Sequence, residues 1–430
     1  MECFIGIDAG TSGIKVVVFD ALGRVCGTGY HECDVITPRP GWVEQDPREL
    51  WRACSAAVKM AIGSAGVAIE VGGIGFSGQM QGCLLVDRNL EPIGNCIIWL
   101  DQRSSAQVDE ICGLIADDDA LRLTSNHCLN SFWAPKLLWI RENRPEDYER
   151  AYKVMFVKDY LRMCMTGEVA TEVSDASLSF MLDVGARKWS YPVFDRLGID
   201  RSLVPDTLAE SYEVVGRLSR GVAEEWGIEP GVPVAAGAGD QPAGGVGTGI
   251  VRPGVLGSTI GTSGVVFGCT SSPLIDAQNR AIMSMAHSVE NKWCFLGLVL
   301  SAGGAFKWLR DTIFPMQKEA CVKNGTDIYD YMTSLAVQAQ PGCEGLTFLP
   351  YLNGEKTPIS DENARGVLFG LSYRHGINEI ARSVMEGITF AMRDSVEICR
   401  EMGHSVTEIR ANGGGAKSEL WLQMQADIYK

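Results

Sequence analysis

The sequence predicts an α/β protein made of two related domains. Three observations carry this: apolar strand-like runs alternate with helical patterns, one short glycine-rich motif occurs twice at long range, and glycine is enriched around both copies. The chain has 430 residues, room for two or three domains at roughly 100–200 residues each. Glycine supplies 49 of them, about 11% against a typical value of about 7%.

Taken in order, the chain opens as an antiparallel meander. Phe4–Asp8 reads as a strand, Ala9-Gly10-Thr11-Ser12-Gly13 as a tight turn and Ile14–Phe19 as a second strand, with Asp20-Ala21-Leu22-Gly23 turning into a third from Arg24 to Tyr30. Asp46-Pro47 is a helix cap with a first-turn proline, and Leu50, Cys54, Ala57, Val58 and Ala61 recur behind it at helical spacing. A buried strand follows around Gly72–Phe76. Later, apolar Val232–Ala236 runs into Gly237-Ala238-Gly239-Asp240-Gln241-Pro242, the pattern of a strand meeting a helix N-terminus. The repeat sets the domain count. Gly10-Thr11-Ser12-Gly13 recurs 251 residues on as Gly261-Thr262-Ser263-Gly264, between β-rich apolar stretches, and Arg252-Pro253-Gly254 marks a crossing point. The expected domains are residues 1–249 and 250–430.

Composition narrows the function classes. Hydrophobic residues make up 46%, charged residues 21% and aromatics 8%, the balance of an ordinary globular protein. Lys+Arg 38 against Asp+Glu 53 leave a net charge of -15 at pH 7, and without a basic cluster such a surface repels a polyanionic duplex, so nucleic acid is not an expected partner. No two of the 14 cysteines lie within four residues of each other, which removes the close pairs of zinc ribbons and redox motifs and leaves reduced, mostly buried thiols. The N-terminus has no basic region before an apolar core, and no apolar run reaches about 18 residues. No membrane partner and a cytoplasmic location are expected.

The glycine motifs point to phosphate. A turn of small residues leaves backbone N–H groups uncovered, and the Thr11 and Ser12 hydroxyls add donors, so Gly10–Gly13 is an anion-binding concavity or else a plain tight hairpin. Lys15 brings a cation towards the same phosphates. Asp8, ending the first strand, suits Mg²⁺, which takes one or two carboxylates plus phosphate oxygens. In the second copy Thr259 stands where Asp8 stands in the first, so Gly261, Thr262 and Ser263 offer donors without a metal carboxylate. One ATP held by two such turns with one metal is the inference. No Gly-Lys-Ser/Thr completes a Walker A motif, and Pro242 takes the third glycine position of a dinucleotide fingerprint. Asp240 is either a helix cap or a proton acceptor, since a helix N-terminus favours the ionised carboxylate a general base needs. Gly413-Gly414-Gly415-Ala416-Lys417-Ser418 is either a β–α turn or bare backbone for a purine or ribose. Gln79, Gln81 and Asp101 are the kind of hydrogen-bonding set a sugar pocket needs, or else unrelated polar residues.

Together these motifs resemble the FGGY carbohydrate kinases over essentially the whole chain. Asp8–Lys15 is similar to the family's first phosphate loop, with Gly10, Thr11, Ser12 and Lys15 on ATP. Gly261, Thr262 and Ser263 are similar to the second loop, and Gly413, Gly414, Gly415 and Lys417 to the adenosine loop. Gly41-Trp42-Val43-Glu44-Gln45-Asp46-Pro47, Ala134–Trp139, Phe369-Gly370-Leu371-Ser372 and Glu386-Gly387 supply family-like context. The resemblance implies two actin-like, ribonuclease-H-like α/β domains with the active site in the cleft between them. It implies ATP and Mg²⁺, Asp240 as catalytic base, Asp8 as the metal-side carboxylate, and Gly303 and Gly304 as further nucleotide contacts. Gln79, Met80, Gln81 and Asp101 become sugar contacts, as does Gln241, beside the base.

Within the family the pattern is nearest to members acting on xylulose, which implies transfer of the ATP γ-phosphoryl group to D-xylulose to give D-xylulose 5-phosphate. Two positions depart from that pattern: Gln81 where His is usual and Trp133 where a small Thr is usual. Both are expected at the sugar, and they leave another pentulose or a polyol open. An actin- or chaperone-like ATPase and a silent sugar binder are the readings from other classes. Family members continue beyond the helix that ends at Lys430, so the resemblance implies a second domain short of its C-terminal part. A homodimer is left open.

Overall fold

Apolar residues at alternate positions build the first strand. In β1 (Glu2–Ala9), Cys3, Ile5, Ile7 and Ala9 are buried while Glu2, Phe4 and Asp8 face outwards. The computed structural model describes residues 1–278 and 281–430. It divides the chain into two units: Met1–Gly247 with Ser284–Trp293, and Thr248–Met283 with Cys294–Lys430.

In the first unit, β1 continues into β2 (Gly13–Asp20) and β3 (Val25–Glu32), each antiparallel to its predecessor, as the meander predicts. The helix Pro47–Ser64 follows, capped by the Asp46 side chain, which accepts from the Arg48 N–H. It carries the chain over to β4 (Glu70–Gly78), which lies parallel to β1. A parallel pair needs such a crossover. The strands β5 (Val214–Arg217), β6 (Pro233–Ala235) and β7 (Ala238–Gly239) complete a sheet ordered β5-β6-β4-β1-β2-β3, with β7 also on β4. The core of this unit joins Ile5, Ile7, Val16 and Val18 to Leu50, Cys54, Ala57, Val58 and Ala61 of the helix. Helix and sheet touch through Gly29, where a Cβ would fall 2.0 Å from the Ala57 carbonyl oxygen.

The second unit repeats the opening pattern. Strands β8 (Val255–Ile260) and β9 (Gly264–Thr270) form an antiparallel hairpin around Gly261–Ser263. With β10 (Trp293–Val299) and β11 (Glu408–Gly413) they run in the order β10-β9-β8-β11 within a five-stranded sheet. β11 is parallel to β8, as β4 is to β1. The second hairpin is one residue tighter: Ala9 faces Ile14 in the first, Ile260 faces Gly264 in the second. The helix Ile377–Glu401 buries Val384, Met385, Ile388 and Met392 in this unit's core.

One segment departs from the expected division at 249/250. Ser284–Trp293, placed by sequence in the second domain, groups with the first unit. Hydrogen bonds give the reason. The Ser284 N–H donates to Asn126 Oδ1 at 2.8 Å and the Ala286 N–H to Ser177 Oγ at 2.9 Å. Trp293 Nε1 donates to the Val184 carbonyl at 2.7 Å, and Arg187 donates to the carbonyls of His287 and Lys292.

All fourteen cysteines are free, and most are buried. Among the described residues no helix is long and apolar enough to cross a membrane. The Gly29 contact is testable. Gly29→Ala forces a methyl group against helix backbone, an overpacking cost of typically about 1–3 kcal/mol, which a urea unfolding curve should show as a lowered midpoint at unchanged slope.

Candidate active site

Strand register brings the first group of residues together. Asp8 in β1 faces Lys15 across the antiparallel pair and Ser77 across the parallel pair, while Ser77 also faces Ala238 of β7. The Ser77 hydroxyl donates to the Asp8 carboxylate at 2.9 Å. Asp8, Ser12 and Lys15 are exposed. Carbonyls of the intervening turn are taken from behind: Thr11 O accepts from Gln45 Nε2 at 2.9 Å, and Ser12 O accepts from the Tyr30 hydroxyl and the Cys33 N–H. A turn whose carbonyls are held from outside aims its N–H groups the other way, the geometry of an anion-binding concavity.

Asp240 opens the helix Asp240–Gly247 two residues beyond Ala238, which register ties to Ser77. Burial, then the negative charge of Asp8, push its carboxyl up to about 7, against opposing hydrogen bonds from the backbone and side chain of Gln241. A carboxylate that holds its proton near neutrality beside an ionic neighbour has the proton affinity suited to general acid–base work. The sequence offered cap or proton acceptor. Gln241 is bonded to that carboxylate.

The expected sugar contacts are arranged otherwise than their polarity suggested. Gln79 is buried, its Oε1 accepting from Thr11 Oγ1 at 3.1 Å and its Nε2 donating to Gln45 Oε1 at 2.6 Å. With the Gln45–Thr11 bond this closes a ring of two amides and a threonine under the turn, so Gln79 shapes the phosphate turn. Asp101 is fully buried: it accepts from the Val43 N–H at 2.6 Å and is gripped by the Arg103 guanidinium at 2.7 Å, whose plane lies over Trp42. Its oxygens are committed to protein, which removes it from a sugar-contact role. Trp133 is likewise 0% exposed, stacked on Phe156 with ring centroids 3.8 Å apart and donating Nε1 to the Gly82 carbonyl at 2.7 Å. It packs beneath the Gln79–Gly82 loop, and a sugar cannot reach it. Met80 lies against Gly239, next to Asp240. Gln81 is buried in a left-handed backbone conformation, φ 69°.

In the second unit, the Gly261 N–H donates to Ser263 O, and the N–H groups of Gly303 and Gly304 donate to the carbonyls of Gly261 and Thr262, each at 2.8 Å. A Cβ at Gly303 would fall 2.3 Å from Gly261 O, so only glycine allows this approach. Gly303 and Gly304 were expected on the nucleotide, whereas their N–H groups hold the second turn. Gly413 pairs with Ile260, and a 3₁₀ turn, Gly414–Lys417, leads to the Ser418-capped helix Glu419–Ile428. Gly413, Gly414 and Lys417 are exposed and Gly415 is buried, so bare backbone stands beside the strand entering the second turn.

Profiles of the FGGY family of carbohydrate kinases match both halves, the N-terminal domain over residues 3–247 and the C-terminal domain over residues 256–430. The chain belongs to this family. The xylulose kinase of Escherichia coli (strain K12) is 36% identical over 425 residues, covering 99% of this chain and 84% of that protein. Among solved structures, the xyloylose kinase of Brucella ovis superposes with a TM-score of 0.90 at 34% identity, over 99% of this chain and 85% of that one. The gluconate kinase of Lactobacillus acidophilus does so at 0.91 with 25% identity, over 100% and 84%. The two-domain FGGY fold, of the ribonuclease-H-like ATPase type, is thus the fold of this chain.

Sequence reasoning passed over two residues that touch Asp8 and the first turn. Ser77, on the Asp8 carboxylate, lies in β4 two residues before Gln79, and alternation back from Gln79 would have placed it on the same face. Trp99 donates Nε1 to Thr11 Oγ1 at 3.0 Å with its ring half-exposed. Its signal was its place in the turn that follows the strand Pro92–Ile97, two residues before Asp101.

Trp133→Thr removes a buried aromatic and a donor, for which a loss of about 3–5 kcal/mol is expected, read in urea unfolding. A second expectation concerns pH. The Asp240 carboxyl has a folded value of about 7 against an ordinary 3.8, so its stabilising contribution is present below the ordinary value and lost as pH rises through the folded one. Asp240→Asn removes that loss. In metal-free buffer the melting temperature of the variant relative to the parent should therefore be higher at pH 8 than at pH 4.5.

Proposed function

We propose that this chain transfers the γ-phosphoryl group of ATP to the terminal hydroxyl of D-xylulose, with Asp240 as the proton acceptor. The observation that carries the reading is Asp240 itself: a carboxyl with raised proton affinity, at a helix start and within the field of Asp8. Phosphoryl transfer is mostly positioning and charge stabilisation. The sugar oxygen forms its bond to phosphorus as the bond to the ADP oxygen breaks, and the hydroxyl proton passes to an Asp240 oxygen. Gln241 N–H groups hold the carboxylate in place for that transfer. In the first unit, the Thr11 and Ser12 N–H groups and the Ser12 hydroxyl offer donors to phosphate, Gly10 closes the turn through its N–H on the Gly13 carbonyl, and Lys15 adds a positive charge. In the second, Thr262 and Ser263 offer the same kind of donors on a turn closed by the Gly261 N–H, and Gly413, Gly414 and Lys417, with Gly415 beneath them, the surface for adenosine.

Asp8 is the residue that would hold Mg²⁺. It is exposed at a strand end and carries a hydroxyl partner, and Mg²⁺ needs only one or two carboxylates when phosphate oxygens complete its shell. No larger cluster of metal-binding side chains occurs among the described residues, which fits an ion that arrives with the nucleotide. When bound, it would neutralise phosphate charge. A cytoplasmic enzyme is part of this reading.

The choice of xylulose rests on relatives across both domains, among them the xylulose kinase of Bacillus subtilis (strain 168), 34% identical over 431 residues. Gln81 is the observation that favours a second reading, another pentulose or a polyol, since an amide and an imidazole present different donors and acceptors. A panel of pentuloses, hexuloses and polyols in a coupled ADP assay separates them, with highest kcat/KM expected for D-xylulose. Asp240→Asn should lower kcat by about 10²–10⁴ with sugar binding retained in calorimetry. Turnover within a few-fold of the parent would remove Asp240 from the role. Gln81→His should raise the preference for xylulose over the other panel sugars. An unchanged kcat/KM ratio across the panel would place Gln81 away from the sugar.

A further inference from the structure

Behind the Gln79–Gly82 loop lies a group of buried charges that the proposed reaction does not use. Lys158, Asp159, Arg162, Glu172 and Asp175 are all 0% exposed. Lys158 Nζ lies 3.0 Å from Asp159, 3.1 Å from Glu172 and 3.2 Å from Asp175, and Arg162 lies 2.9 Å from Asp159. Two cations thus face three carboxylates. Burial outweighs the attraction of Lys158, and with the like charges of Glu172 and Asp159 it pushes Asp175 up to about 7. Taking so many charges out of water costs several kcal/mol per ion before pairing offsets it. A core of apolar residues would fill the same space without that cost, so the geometry the charges impose is the feature to explain.

That geometry is a short arm reaching two loops. The one-turn helix Val173–Ala176 is capped by Glu172, whose carboxylate accepts from the N–H groups of Ser174 and Asp175 and from the Ser174 hydroxyl. Ser174 Oγ in turn accepts from the Gly239 N–H at 3.1 Å, one residue before Asp240. Asp175 Oδ1 accepts from the Gln81 N–H at 3.1 Å. On its other side the Gln81 carbonyl accepts from Lys136 Nζ at 2.8 Å, and Lys136 is also fully buried. Gln81 is therefore clamped by an acid at its N–H and a cation at its C=O, in a left-handed conformation that a residue other than glycine adopts only when its surroundings enforce it.

We propose that Ser174 and Asp175 are positioning residues, Ser174 fixing the turn that carries Asp240 and Asp175 fixing the sugar loop at Gln81. The inference rests on the reading of Asp240 as base and of the loop through Met80 and Gln81 as the sugar's contact. Adjacent residues on one turn of helix then govern two different kinetic quantities. Losing the Ser174 bond lets the base drift, which lowers the rate of transfer. Losing the Asp175 bond lets the loop relax, which weakens the sugar's hold.

Steady-state kinetics on the full chain with ATP and D-xylulose, or with the panel sugar turned over fastest, test this. Ser174→Ala should lower kcat about 10-fold or more, because small misplacements of a reacting group are costly, while sugar KM stays within about 2-fold. Asp175→Ala should raise sugar KM about 10-fold, the worth of one buried hydrogen bond, and leave the KM for ATP unchanged. Asp175→Asn keeps an acceptor towards the Gln81 N–H, with Asp159 and Glu172 still on Lys158, and should restore most of the sugar KM. Asp159→Asn disturbs the same charges without touching either loop; it should lower the melting temperature and leave both kinetic constants near the parent's. If Ser174→Ala and Asp175→Ala shift kcat and KM alike, or no more than Asp159→Asn does, the proposal is wrong. Should Asp175→Ala not fold, Ser174→Ala still decides, since an unchanged kcat overturns it. Asp240→Asn runs alongside: an active variant refutes the base, whereas an inactive one with no split between Ser174 and Asp175 refutes only this inference.

Discussion

Register along β1 is the constraint on which the first unit's chemistry depends. Side chains on a strand alternate, so a slip of one residue against β2 and β4 would turn Asp8 into the core and Ile7 out of it. The correct pairing sets Asp8 opposite both Lys15 and Ser77 and leaves the Gly10–Ser12 turn at the end of these strands. Burying an unpaired carboxylate is costly enough to exclude the slipped register. The apolar pattern that makes the core is therefore also what aims Asp8 and the turn that follows it.

Turn and loop are held differently, and each by buried polar groups. Beneath the phosphate turn, Gln79, Gln45 and Thr11 form a neutral ring, a closed set of partners that fixes donors without placing charge near an incoming polyanion. Beneath the sugar loop the holders are ionic: Lys136 and Asp175 on Gln81, with Lys158 and Arg162 behind. Charge is tolerable there in the proposed reading, in which the loop meets a neutral sugar. Asp8 and Asp240 make the opposite compromise, two carboxyls close enough for one to raise the other's proton affinity at the expense of the folded state.

Much of this was legible in the sequence, and what was not shares a physical cause. Asp8, Thr11, Ser12 and Asp240 announce themselves because strand ends and small-residue turns are local features, readable from a few neighbours. The repeat at Gly261 was legible for the same reason, though its tighter turn was not, since register belongs to pairing. Gln79 and Asp101 were assigned to the sugar on polarity and the family resemblance, and Trp133 on the resemblance alone. Their partners, Thr11 and Gln45, Val43 and Arg103, Phe156 and Gly82, lie up to 68 residues away in sequence or on other elements, and only folding shows which polar groups are already satisfied. Ser174 and Asp175 left no mark because a buried acid on a short helix has the same spelling as a surface one. Gly303 and Gly304, expected as nucleotide contacts, hold the second turn through their N–H groups, a long-range pairing that no local pattern spells out.

The hairpin Ser284–Trp293 has a consequence for how this chain can be cut. A fragment ending at Gly247 contains every residue of the proposed acceptor site and nearly all of the first core, so a contiguous reading would take it for an independent module. It would nonetheless leave Asn126, Ser177, Arg187 and the Val184 carbonyl without the backbone and indole groups that satisfy them. Unmet buried polar groups of this kind each cost about 1–3 kcal/mol, a large share of the marginal stability of a domain. Synthesis from the ribosome meets the same discontinuity: the first unit cannot close until residue 293 has emerged, after the first strands of the second are already made.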